Sequence, residues 1–231
     1  MNDNARDSVL GRLRQALGRN GPVAEEARRA ARARLTSPPP SIVPARADLP
    51  LEERVALFTT QAGAVQTVVR RIGRFADLPG AVEGFLREHN LPKRLVMADD
   101  PSLDGQAWRS SMVEVRRGRA EGEDEVGLTT AFAGIAETGT LMLLSDARHP
   151  TTIAFLPDNS IVVLPTGRVL RAYEDAWRLL RAEHGAPPRS VNFITGPSRT
   201  ADIEQTLQLG AHGPRRLLVL LVDEAPGEAS R

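Results

Sequence analysis

Cysteine is absent from all 231 residues. Disulfides, thiolate nucleophiles, cysteine-ligated zinc and self-ligated iron–sulfur clusters are therefore excluded. The cofactor is left unknown: redox chemistry here needs an organic cofactor, a non-thiolate metal or a partner protein. Long apolar runs are also missing, and no stretch reaches the roughly 20 residues of a membrane span. Charge of one sign is scarce. The formal net charge is +1, which gives no global case for nucleic acid or an anionic membrane. Lysine is nearly absent, with Lys93 alone beside 29 arginines. Arginine suits phosphate and carboxylate recognition, but a biased composition explains the imbalance as well. The start, MNDNARDSVLGRLRQALG, lacks the apolar core of a signal peptide, and the expected location is the cytoplasm. G-x-G-x-x-G after a strand, Walker A, H-E-x-x-H and G-x-S-x-G are all absent.

What is present divides at about residue 50. Residues 1–50 form an arm. Val9, Leu10, Leu13, Ala16 and Leu17 recur at helical spacing, and AEEARRAARARL at 24–35 favours helix with one large apolar side chain, Leu35. The Pro-rich TSPPPSIVPARADLP follows and cannot continue a helix. The arm carries about +4 and the remainder about −3. It reads either as a solvated arm or as a helix pair that wraps a homodimer or docks a partner.

Residues 51–231 read as one α/β domain. Asp48 is a candidate cap for a helix over 51–62, with Pro50 in its first turn and Gly63 after it. Short apolar runs recur at 65–69, 94–98, 140–145, 160–165, 190–195 and 216–223. Several are apolar throughout, which suits strands buried on both faces of a parallel sheet. Helical patterns over 76–89, 173–184 and 201–209 alternate with them. The expectation is an open, mainly parallel sheet sandwiched by helices, with an N-terminal helical arm. The charged stretch RGRAEGEDEVG at 117–127 reads as an exposed loop.

Three clusters carry candidate chemistry. Gly196-Pro197-Ser198-Arg199-Thr200-Ala201-Asp202-Ile203-Glu204 reads as strand, turn and helix start. Free amides there, with Ser198, Arg199 and Thr200, suit a carboxylate or phosphate. Equally, Ser198 or Thr200 caps the helix, and Asp202 and Glu204 complement its dipole. Gly134-Ile135-Ala136-Glu137-Thr138-Gly139-Thr140 precedes a strand. Glu137 beside close backbone suits a general base, while Thr138-Gly139-Thr140 also suits a plain turn. Gly210-Ala211-His212-Gly213-Pro214 places a neutral-range titrating group on constrained backbone. His89 and His184 sit at helix ends, where they complement the dipole. The four histidines (89, 149, 184 and 212) make no metal-ligand spacing, so no metal site is expected.

Together, GIAETGT, GPSRTADIEQTLQLGAHGP and RLLVLLVD resemble the pattern of the LUD (lactate utilisation) family in order and spacing, over roughly residues 55–223. The size, the helical arm and the missing cysteine are similar to that family's C-type subunit. The resemblance implies a subunit of an L-lactate utilisation system that oxidises L-lactate to pyruvate with iron–sulfur partner proteins. Its role there is accessory or substrate-binding, with a small carboxylate as substrate. It also implies the α/β fold of the sugar-phosphate isomerase and CoA-transferase-like group. Glu137 and His212 are then the catalytic candidates. Thr138, Gly139, Thr140, Gly196, Ser198, Arg199, Thr200 and Asp202 are the substrate-binding candidates. Two other classes stay open: an independent enzyme acting on CoA, folates or sugar phosphates, and a non-catalytic binding or sensor domain.

Overall fold

The six apolar runs are strands. The computed structural model describes residues 3–19, 21–38, 42–201, 207–210 and 212–224, in two compact units, Met1–Ile42 and Val43–Arg231. The first unit holds α1 (Asp3–Ala16) and α2 (Glu25–Thr36). No residue of α2 is buried, in keeping with its single large apolar side chain.

The second unit runs α3 (Leu51–Ala64), β1 (Val68–Ile72), α4 (Leu78–Glu88), β2 (Arg94–Met97), α5 (Gln106–Arg109), β3 (Glu114–Arg117) and β4 (Val126–Thr130). There follow β5 (Ala133–Ile135), β6 (Thr140–Leu144), α6 (Thr151–Phe155), β7 (Asn159–Pro165), β8 (Val169–Leu170) and α7 (Tyr173–His184). The last elements are β9 (Val191–Ile194), β10 (Arg199–Ala201), β11 (Leu207–Leu209) and β12 (Arg216–Val222). A six-stranded sheet has the order β1-β12-β7-β4-β2-β3, with every pair parallel. A four-stranded sheet has the order β8-β5-β6-β9, where β5–β6 and β6–β9 are antiparallel. Mainly parallel α/β architecture is therefore observed, with a second, mixed sheet added to it.

The uniform apolarity of β7 and β12 has a direct cause. Ile161, Val163, Leu218, Leu220 and Val222 pack with α4 through Leu78, Val82, Phe85 and Leu86. The alternate residues Val162, Leu164, Leu217, Val219 and Leu221 pack with α3 through Val55, Phe58 and Ala62, and with Leu141 and Leu143 of β6. On the far side of the small sheet, Ala133, Ile135 and Met142 pack against Ala176 and Leu180 of α7. The layers are thus α4, the parallel sheet, α3, the small sheet and α7.

Two local expectations are corrected. Pro50, not Asp48, occupies the cap position of α3, and no side chain caps it. Asp48 instead accepts from Arg171 Nη1 at 3.0 Å, and Glu52 and Glu53 complement the dipole in the first turn. The first apolar run also begins three residues late, because Gln66 adopts φ 68° in the turn leaving α3.

Candidate functional site

Two motif glycines, Gly139 and Gly196, meet one element, the C-terminal end of α3. A Cβ on Gly139 would lie 2.2 Å from Ala62 N and 2.6 Å from Gln61 C. One on Gly196 would lie 2.5 Å from Val65 O. Their φ angles are 65° and 82°, in the left-handed region that glycine enters without strain. Between them, the fully buried Thr140 hydroxyl lies 2.7 Å from Thr138 Oγ1, 2.7 Å from Thr195 Oγ1 and 3.0 Å from Tyr173 Oη. The Thr140–Thr195 bond joins the two motif segments directly.

The segment after Gly196 departs from expectation. Where the sequence predicts a helix over 201–209, Arg199–Ala201 pairs antiparallel with Leu207–Leu209. Thr200 stands opposite Gln208. Asp202, with Glu204, lies outside the described residues. The Ser198 amide donates to Pro214 O at 2.8 Å, so it is committed to protein and not open to an anion. No helix start forms at 199–201, and β-branched Thr200 suits the observed strand. The strand that precedes Gly196 belongs to the mixed sheet, so its end is not the carboxyl edge of the parallel one.

Gly196, Ser198, Arg199 and His212 do come together, lining a cavity of about 430 Å³ with Val65 and Thr195. Arg199 Nη2 donates to Val65 O at 2.9 Å. Ser160 and Leu217 also line it, and both sit at the amino ends of their strands. This motif cavity therefore opens at the amino edge of the parallel sheet. Glu137, Thr138, Gly139 and Thr140 are not among its lining residues. The Glu137 side chain, 13% exposed, pairs with Arg46 at 3.2 Å.

The opposite edge holds a second cavity, of about 290 Å³. Thr130 at the end of β4 and Pro165 at the end of β7 line it, with Asp100 beyond β2 and Phe75 beyond β1. In open α/β sheets this is the edge where ligands bind. His149 is its hub. Nδ1 lies 2.9 Å from Asp146 Oδ1, and Nε2 lies 3.0 Å from Asp100 Oδ2. Thr130 Oγ1 donates to the same Asp100 oxygen at 2.7 Å, and the Ser102 amide donates to Asp100 Oδ1 at 2.8 Å. The amides of Arg148 and His149 both reach Asp146 Oδ1 at 2.7 Å.

These bonds set the ionisation of the group. Burial opposes the Asp100 charge, but the bonds from His149, Thr130 and Ser102 outweigh it and hold its carboxyl below the ordinary range. Burial likewise opposes the Asp146 charge, and the amide and ring of His149 outweigh it. The Asp100 bond, against a smaller desolvation cost and with help from Asp146, raises His149 above its usual value. The arrangement is an imidazole ring held between two carboxylates that favour its protonated form, with its orientation set from both sides. Arg168 lies over the Phe132 ring at 5.5 Å and donates to Glu183 at 2.8 Å. Arg168, Glu183 and His184 complete the rim.

Sequence reasoning passed over Asp100 and His149. The available signal was positional. RLVMA is an apolar run, so Asp99 and Asp100 directly after it stand at the carboxyl end of a strand. Asp146 and His149 sit at i and i+3 in the turn after TLMLLS. Among the described residues no group of three or more His, Asp or Glu is arranged to hold a metal ion, and no helix is long and apolar enough to cross a membrane.

Comparison with known proteins adds to this geometry. The LUD domain family model matches residues 55–222. Lactate utilization protein C of Halalkalibacterium halodurans is 27% identical over 188 residues, covering 75% of this chain and 80% of that protein. Lactate utilization protein C of Anoxybacillus flavithermus is 34% identical over 99 residues, covering 43% and 44%. A Neisseria meningitidis protein is 38% identical over 98 residues, covering 42% of each. The match thus spans under half the length of the latter two relatives. The crystal structure of a DUF162 family protein from Deinococcus radiodurans superposes with TM-score 0.58 at 23% identity, covering 75% of this chain and 99% of that one. That likeness is one of fold.

Proposed function

Because residues 55–222 match the LUD domain, this chain belongs to the LUD family, and we propose that it is a subunit of an L-lactate utilisation system. The observation that carries this reading is the relation to lactate utilization protein C, which runs through 75% of the chain in the Halalkalibacterium case. In this reading L-lactate is oxidised to pyruvate, and two electrons leave through clusters on iron–sulfur partner proteins. The present chain has no cysteine with which to hold such a cluster. Its part is to bind the small carboxylate or to support the subunits that oxidise it.

The motif cavity is the first candidate for that binding. Arg199 would meet the carboxylate, with Ser198 beside it, and His212, which lines the same cavity, would take the hydroxyl proton. Glu137, paired with Arg46 and outside the lining, contributes through the packing of its segment.

The test is reconstitution. The chain is purified alone and with its iron–sulfur partners, and lactate-dependent dye reduction is followed. The chain alone gives no reduction, the complete set does, and omitting the chain abolishes or greatly slows it. Dye reduction by this chain alone without added cofactor overturns the accessory reading. Full activity without the chain overturns its membership of the system.

A further inference from the structure

The cavity at the carboxyl edge of the parallel sheet has no role in the reading above. It holds the more buried acid–base group of the two cavities. The side chains of Asp100 and His149 are 16% and 22% exposed, whereas Arg199 and His212 in the motif cavity are exposed. We propose that this carboxyl-edge cavity is the α-hydroxy-acid site of the protein: Arg168 grips the carboxylate, and the Asp100–His149 pair receives the hydroxyl. The inference rests on the lactate reading and moves the substrate from the motif cavity to this one.

Three observations carry it. The first is place. The lining comes from the ends of β4 and β7 and from the segments after β1 and β2. At such an edge several parallel strands deliver side chains to one spot. The motif cavity lies at the other edge, and the Ser198 amide there is already bonded to Pro214.

The second is size. About 290 Å³ is at the small end for ligand pockets. It can surround a compact acid, whereas CoA or a folate would lie mostly outside it.

The third is charge. Asp100, Asp146 and Glu183 outnumber the cations His149 and Arg168, so the net repulsion grows with the charge of the anion and disfavours a dianionic phosphate more than a monocarboxylate that Arg168 can pair. That guanidinium uses Nη1 for Glu183, and a fork of five donors can keep that bond and still hold a carboxylate edge. After Ser102, Thr130 and His149 are counted, about one of the roughly four lone-pair sites of the Asp100 carboxylate, on Oδ1, is left for a hydroxyl donor. Ala131, Leu144 and Val163 supply an apolar wall, which suits a short alkyl group.

The four histidines make the test internal to one protein. His149 and His184 line this cavity, His212 lines the motif cavity, and His89, stacked on Phe85, lines neither. The full chain is labelled on its imidazole nitrogens, and ring resonances are followed during titration with sodium L-lactate to about 50 mM, far above a millimolar dissociation constant. Inorganic phosphate serves as the second probe.

The expected result is saturable movement of the His149 and His184 signals with lactate, little with phosphate, and none at His89. Arg168→Met raises the lactate dissociation constant at least tenfold, and Arg168→Lys, which keeps the charge, raises it less. Movement of His212 alone overturns this assignment but leaves a substrate-binding subunit in place. Movement of none overturns both the assignment and the substrate-binding role. Equal response to lactate and phosphate, or an unchanged constant in a folded Arg168→Met, also overturns it.

Discussion

Alanine at Gly139 should cost about 2–5 kcal/mol of stability, from two sources that add. The backbone at φ 65° holds a non-glycine residue in the left-handed region, worth about 1–2 kcal/mol. The new methyl would also sit 2.2 Å from Ala62 N and 2.6 Å from Gln61 C. Both are backbone atoms of a packed helix and cannot rotate away, so α3 has to shift. Overpacking of that kind costs about 1–3 kcal/mol. For a domain of this size each kcal/mol moves the melting temperature by about 2–4 °C, so the melt should fall by roughly 4–20 °C.

Gly63, in the same helix, supplies the control. It is exposed, and a Cβ there meets nothing within 4 Å. Gly63→Ala should stabilise by about 0.5–1 kcal/mol. Thermal melts and urea titrations of the two variants decide the matter. Gly139→Ala melting within about 2 °C of the parent would refute the close approach, and with it the argument that the GIAETGT glycine is there for packing.

Two further outcomes follow from the buried polar groups. Thr140→Val leaves Thr138, Thr195 and Tyr173 each one partner short in a network centred on a buried hydroxyl, and should cost about 1–3 kcal/mol in urea titration; a loss below about 0.5 kcal/mol would contradict the network's role. The Asp146–His149–Asp100 group makes stability depend on pH from both sides. Asp100 is depressed, so its contribution is whole above the ordinary carboxylate value of about 3.9 and is lost as pH falls below it toward the folded value. His149 is raised, so its contribution is whole below about 6.5 and is lost as pH rises through its folded value. Unfolding free energies measured across pH should therefore show a maximum between these limits, and His149→Gln should flatten the alkaline side. An alkaline limb unchanged in that variant would contradict the assignment.

Much of the fold was legible because burial on two faces leaves an unalternated apolar pattern. The runs that became β7 and β12 are apolar at nearly every position, since neighbouring residues face α4 and α3 in turn. Strands β3 and β4 were not legible. β3 is an edge strand with charged residues, Glu114-Val115-Arg116-Arg117, and only one of its residues is apolar. β4 contains Gly127, kept small because Ile153 O would stand 2.4 Å from any Cβ there. The motif segments were recognisable, but their reason was not. A glycine in a pattern looks the same whether a ligand or a helix comes close, and here α3 does. Asp100 and His149 were invisible as a pair because 49 residues separate them. Their segments meet in the fold, where the Asp99 amide donates to Arg148 O at 3.0 Å.

The place of β12 bears on how the molecule is made. Residues 216–222 insert between β1 and β7, pairing with 68–72 on one side and 159–165 on the other. During synthesis β1 waits some 150 residues for its neighbour, and until then β7 has one open, largely apolar edge. Such long-range closure slows folding and leaves strand edges that invite association with other chains. The nascent protein is thus expected to need shielding until β12 clears the ribosome. A stop codon before Arg216 would remove the interior of the sheet and leave a chain unable to complete its core, where the same loss at β3 would only trim an edge.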